Sequence, residues 1–160
     1  MSATPRDRDD QGRPKNQRPR DSLGRPLPRD AKGDPSLQVE PEGTPAELMA
    51  QGVEHFNRGN YFQAHECWET AWHDAAESDR DFWQGITQIA VGLTHRGRGN
   101  LHGAKTLLRR GIDRAARYGD VHLDLEVGAL VSQAREILDE LEAEGLGADI
   151  GEPRAALRPR

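Results

Sequence analysis

The sequence predicts an all-α fold, a compact bundle of about five helices built from antiparallel helical hairpins. Three observations point to it. No proline occurs between Pro45 and Pro153, so one long interval is free to be helical throughout. Within that interval apolar residues recur at three- and four-residue spacing, as amphipathic helices require. Glycine-bearing breaks at Gly59-Asn60, Gly97-Arg98-Gly99 and Gly119 cut it into helix-sized lengths, and connections that short make consecutive helices antiparallel neighbours.

The first helix opens on Thr44-Pro45-Ala46-Glu47, where Thr is a natural N-cap, Pro suits the first helical position and Glu completes a capping box. Leu48, Gly52, Val53 and Phe56 mark its inner face, and Gly59 with Asn60 ends it. A second helix is expected from Tyr61 to Ala76. A third starts near Ser78 or Asp79 and carries Phe82, Ile86, Ile89, Ala90 and Leu93. Asn100 caps a fourth, in which Ala104, Leu107, Leu108, Gly111, Ile112 and Ala115 oppose Lys105, Arg109, Asp113 and Arg117. The fifth is expected from Asp124 to Glu144, on a stripe of Val127, Leu130, Val131, Ala134, Ile137, Leu138 and Leu141.

The helical domain is thus placed at 44–145. Residues 1–43, a mixture of Arg, Asp, Pro, Gly and Gln, bury too little apolar surface to offset their ordering entropy and read as a disordered tail. Residues 146–160 read as a flexible C-terminal tail. Part of the chain also repeats: Arg58-Gly59-Asn60-Tyr61 with Ala64, Trp68 and Trp72 returns 40 positions later as Arg98-Gly99-Asn100-Leu101 with Ala104, Leu108 and Ile112. Small residues where helices cross and large ones a turn apart are what stacked, tetratricopeptide-like hairpins need.

Composition narrows the function classes. No apolar run reaches membrane-spanning length and no signal-peptide core opens the chain, so the expected location is cytoplasmic, away from membranes. A single cysteine, Cys67, fits a reducing compartment; the wheel turns it away from the aromatic arc and gives it no role. The net charge of −5 disfavours nucleic acid as a partner. Arg109, Arg110, Arg114 and Arg117 nevertheless give the fourth helix a basic face, read as solvated because no aromatics interleave it.

The second helix breaks the amphipathic rule. At 100° per residue, His65 and Glu69 fall among Tyr61, Phe62, Trp68 and Trp72, with Glu66 and His73 at the edge. A buried carboxylate needs a partner, and the third helix offers a stripe of Gln84, Gln88 and His95 beside Gly85 and Gly92. The missing side chains at those glycines admit another helix closely. The expectation is that this stripe faces the second helix and completes a core cluster of His65, Glu66, Glu69, Gln88 and His95.

Such a cluster has three readings: a hydrogen-bonded network that sets helix register, a site for a small ligand or divalent metal, and acid-base catalysis. Ligand-binding candidates are His65, Glu66, Glu69, Trp72, Gln88 and His95. Metal candidates are His65, Glu66, Glu69 and His95, and catalytic candidates are Glu69 and His65. The run His65-Glu66-x-x-Glu69 departs from the zinc-protease signature, since Glu69 stands where the second His belongs.

Phe56-Asn57-Arg58-Gly59, then Ala64-His65-Glu66 with Glu69 and Trp72, then Gln84-Gly85-Ile86 with Gln88, Ala90 and His95, and Gly99-Asn100 with Gly103-Ala104 form a joint pattern. In these residues the stretch from Gly52 to Tyr118 resembles the uncharacterised family called domain of unknown function 309. The resemblance implies a small all-helical fold and no settled activity, substrate or cofactor. The leading expectation is a helical domain of unknown biochemical role whose polar cluster is structural or binds a small ligand. Two alternatives stand beside it: a metal-assisted hydrolase using His65, Glu66 and Glu69, and a protein-interaction module whose helical-hairpin groove binds a partner peptide; a protein partner and a homo-oligomer both stay open.

Overall fold

The structure is a computed structural model that describes residues 40–147 and 151–159. The expected N-terminal tail lies outside the described residues except for its last few positions. Five helices follow in order: α1 (Pro45–Asn57), α2 (Tyr61–His73), α3 (Glu77–Gly97), α4 (Leu101–Ala115) and α5 (Val127–Glu144). Each packs on its chain neighbours, and α3 lies between α2 and α4. No helix among the described residues is long and apolar enough to cross a membrane.

α1 starts as its capping box dictates: the Glu47 N–H donates to Thr44 Oγ1 at 3.2 Å and the Glu47 carboxylate reaches back to the Thr44 N–H. The repeat seen 40 positions apart is a repeated turn. Gly59 and Gly99 both sit at φ +79°, a conformation open to glycine at little cost. The Asn60 N–H donates to His55 O and the Asn100 N–H to His95 O, each at 2.9 Å. Ala64 and Ala104 follow, both fully buried. Packing repeats too, since a Cβ on Gly52 would collide with Trp68 and one on Gly92 with Leu108, the corresponding pair.

Where the sequence reading continues α2 to Ala76, the helix stops at His73 and the Asp74 N–H bonds back to Trp72 O. Where it starts α5 at Asp124, a two-stranded antiparallel hairpin intervenes, β1 (Val121–His122) with β2 (Leu125–Glu126). Leu123 and Asp124 turn it with φ of 47° and 65°, the geometry of a type I′ turn, for which Leu-Asp is an uncommon sequence. His122 anchors the hairpin, its Nε2 lying 2.8 Å from Asp79 Oδ1 and its ring edge-on to Phe82.

Residues 151–159, within the stretch read as a C-terminal tail, fold back onto the helices. Leu157 bridges antiparallel to Leu125, the Glu126 N–H donates to Ala156 O at 2.9 Å, and the Arg158 N–H donates to Asp124 O at 2.7 Å. Pro153 and Ala155 are buried. Few apolar side chains and no periodicity mark such a segment in sequence; backbone hydrogen bonds hold it.

Candidate functional site

α2 presents two adjacent faces. Tyr61, Ala64, Cys67, Trp68 and Ala71 point into the core, where Trp68 is fully buried and Phe56 packs against it at 5.7 Å between ring centroids. Cys67 is part of that core, contrary to the wheel, and burial pushes its thiol up to about 11. Beside this face runs a half-buried stripe of Phe62, His65, Glu69 and Trp72, spaced at the three and four residues that align side chains along a helix.

His65 is the hub of the stripe. Its Nε2 lies 2.8 Å from Glu69 Oε2, its Nδ1 lies 3.0 Å from Phe62 O, and Glu66 Oε1 stands 3.9 Å from Nδ1. Both ring nitrogens face acceptors, so the doubly protonated imidazolium satisfies the site best. Burial alone lowers the His65 pKa; the Glu69 hydrogen bond and the charges of Glu66 and Glu69 outweigh it and raise it above the usual 6.5. The His65 hydrogen bond in turn holds Glu69 below the usual 4.5, against the opposing effect of burial. Glu69 also approaches His73, with Oε1 and Nε2 4.0 Å apart.

This pair is partly open to solvent, a point on which the sequence alone is silent. The Glu69 side chain is 39% exposed and that of His65 16%. Arginines flank both ends of the stripe: Arg80 lies 5.7 Å from the Trp72 ring centroid and Arg98 5.8 Å from that of Phe62. His73 stacks on Trp72, whose indole Nε1 is buried without a hydrogen-bond partner among the described residues.

Gln88 and His95 do not join the cluster. Arg114 Nη1 of α4 donates to Gln88 Oε1 at 3.4 Å, and His95 Nδ1 pairs at 3.2 Å with Asn100 Nδ2, the cap of α4. The glycines beside them do admit a helix closely, but that helix is α4. A Cβ on Gly85 would stand 2.8 Å from Ala115 N, and one on Gly92 2.9 Å from Leu108 Cγ. On the α3 wheel, Gln88 and His95 lie between the two faces, so sequence alone left their partner open.

Among the described residues no three His, Cys, Asp or Glu side chains are placed to hold a metal ion. At His65 both ring nitrogens already meet oxygens, of Phe62 and of Glu69. On the basic face of α4, Arg109 pairs with Glu142, and Arg114 and Arg117 share Asp81, each at 3.7 Å.

The ion pair sets a pH dependence whose sign follows from the two shifts. The raised His65 pKa stabilises the fold below 6.5, and that contribution is lost as pH rises through the raised value. The lowered Glu69 pKa stabilises above 4.5, and that contribution is lost as pH falls through the lowered value. The melting-temperature gap between the natural chain and Glu69→Gln is therefore largest between pH 4.5 and 6.5 and narrows toward alkaline pH. Its size corresponds to about 0.5–1 kcal/mol, as for a partly exposed helical pair. A gap independent of pH would mean that the charges are not coupled.

A curated relative, the "Uncharacterized protein YpuF" of Bacillus subtilis (strain 168), is 31% identical to this chain over 93 residues. The alignment covers 56% of this chain and 53% of the relative, so the chain spans about half of that protein's length. The segment that carries every candidate from His65 to His95 bears out the resemblance read from sequence: residues 49–107 match the family described as "Domain of unknown function (DUF309)".

Proposed function

We propose that this chain is a ligand-binding helical domain whose recognition site is the α2 stripe of Phe62, His65, Glu69 and Trp72, with Glu66 and His73 at its rim. One observation carries the reading: the Glu69 carboxylate is 39% exposed, with one oxygen held by His65 at 2.8 Å and the other no closer than 4.0 Å to His73. A pair serving only helix register has no need to keep an acceptor at the surface between two aromatic rings. The ligand class that fits is a small polar molecule whose N–H or O–H groups meet Glu69 Oε1 while its body rests against Trp72 or Phe62. His65 positions the carboxylate and keeps it ionised.

The test is a titration of the full chain with a panel of small amines and polyols, followed by the His65 and Trp72 ring resonances in NMR spectra and by melting temperature. At least one compound is expected to shift both ring signals and raise the melting temperature, and Glu69→Gln is expected to abolish both responses while staying folded. Silence of both rings across the panel, with Glu69→Gln merely less stable, would return His65 and Glu69 to a scaffold role.

A further inference from the structure

The C-terminal segment is bound in the manner of a peptide ligand. Asn57, the last residue of α1, clamps the backbone of Ala155: its Nδ2 donates to Ala155 O at 2.9 Å and its Oδ1 accepts from the Ala155 N–H at 2.7 Å. Gln133 of α5 does the same for the preceding residue, with both bonds to the Arg154 backbone at 2.9 Å. Two side-chain amides thus read backbone alone. Beyond them, residues 156–158 pair with the Asp124–Glu126 backbone, and the Arg158 side chain adds one contact, its Nε donating to Glu126 Oε1 at 3.1 Å.

Upstream of Arg158, side-chain recognition falls on three positions. The Glu152 carboxylate takes two hydrogen bonds from Arg96 Nη2, at 3.0 and 2.8 Å, and one from the Tyr61 hydroxyl. Pro153 and Ala155 are buried, whereas Arg154, Ala156 and Leu157 are exposed. The surface therefore reads the pattern Glu-Pro-x-Ala in an extended chain. Only two small apolar side chains of the segment are buried, so it is held mainly by hydrogen bonds, each of which nets about 0.5–1.5 kcal/mol against water.

We propose that the surface formed by Asn57, Tyr61, Arg96, Gln133 and the Asp124–Glu126 backbone is a docking site for a partner protein, which presents an extended Glu-Pro-x-Ala segment. Residues 151–159 are the intramolecular occupant that such a segment displaces. Tethering gives this occupant an effective concentration of about millimolar, so a partner peptide competes poorly until the strap is released. The site is separate from the α2 stripe and does not rest on the reading of His65 and Glu69.

The probe is a fluorescent peptide of the sequence 151–159, and the readout is anisotropy with the full-length chain. Release variants are Glu152→Ala, which loses the Arg96 and Tyr61 contacts, and Ala155→Arg, whose side chain has no room in a buried position. Both folded variants are expected to bind the peptide at least tenfold more tightly than the natural chain, and adding Arg96→Ala or Asn57→Ala is expected to remove the gain. A peptide with Glu and Pro replaced by Gln and Ala is expected not to bind. The proposal is overturned if the peptide fails to saturate either release variant, or if the altered peptide binds equally well. Straps exchanged between two copies in a concentration-dependent dimer that excludes the peptide would overturn it as well.

Discussion

Gly111→Ala is expected to lower stability by about 2–3 kcal/mol, a penalty large against the margin of a small domain. A Cβ at Gly111 would stand 2.6 Å from Gly85 O and 2.8 Å from Ile89 N, and both are backbone atoms of α3. A flexible side chain can swing aside, but the α3 backbone cannot, so the two helices must separate and loosen Ile89, Leu108 and Ile112. Alanine's better helix propensity returns only about 1 kcal/mol. Denaturant unfolding checks the figure, with Gly147→Ala as control because a Cβ there meets nothing within 4 Å. Equal stability of the two variants would show that α3 and α4 do not meet at their backbones.

Trp68→Ala is expected to cost about 3–5 kcal/mol, as truncation of a fully buried aromatic side chain does. Its companion is Gly52→Ala. In the natural chain a Cβ at Gly52 would lie 2.1 Å from Trp68 Nε1, so the substitution forces Trp68 out of its seat against Phe56. With Trp68 already reduced to alanine the atoms nearest that Cβ are gone, and the same substitution is expected to contribute helix propensity of about 1 kcal/mol. The effect of Gly52→Ala is thus expected to change sign between the two backgrounds, which a double-mutant cycle reads directly. Additive effects would mean that the two residues do not touch.

The repeat gives these pairs a common logic. Gly52 with Trp68 in the first hairpin corresponds to Gly92 with Leu108 in the second, and each glycine makes room for the large residue one helix away. Trp68 is larger than Leu108, and its hypothetical clash is the closer one. α3 departs from α1 by carrying Gly85 as well, which lets α4 approach along a greater length.

Much of this could be read without coordinates, and the legible parts share one cause. The Thr44 capping box, the two Gly-Asn turns and the apolar stripes are decided within a few residues along the chain, where helical periodicity and backbone sterics act. The His65–Glu69 pair belongs to the same class, because residues four apart on a helix are neighbours whatever the rest of the fold does. The resemblance over Gly52 to Tyr118 rests on those local features as well.

Tertiary structure decided what local rules leave degenerate. Gln88 and His95 lie between two faces of α3, and only the placement of α4 assigned them to Arg114 and Asn100 and not to His65. Exposure of Glu69 depends on how the neighbouring helices leave one edge of α2 open, which no wheel contains. The Leu123-Asp124 turn forces φ values that its residues do not favour, and contacts such as His122 with Asp79 and Phe82 hold the hairpin in place. Residues 151–159 carry no periodic signal, because an extended strap is held by amides of Asn57 and Gln133 far away in sequence. By itself the sequence determined the five helices, the cap of α1 and the two Gly-Asn turns; the fold decided where α2 ends, where α5 starts and which polar groups meet between helices, because those outcomes are set by contacts between segments and not within them.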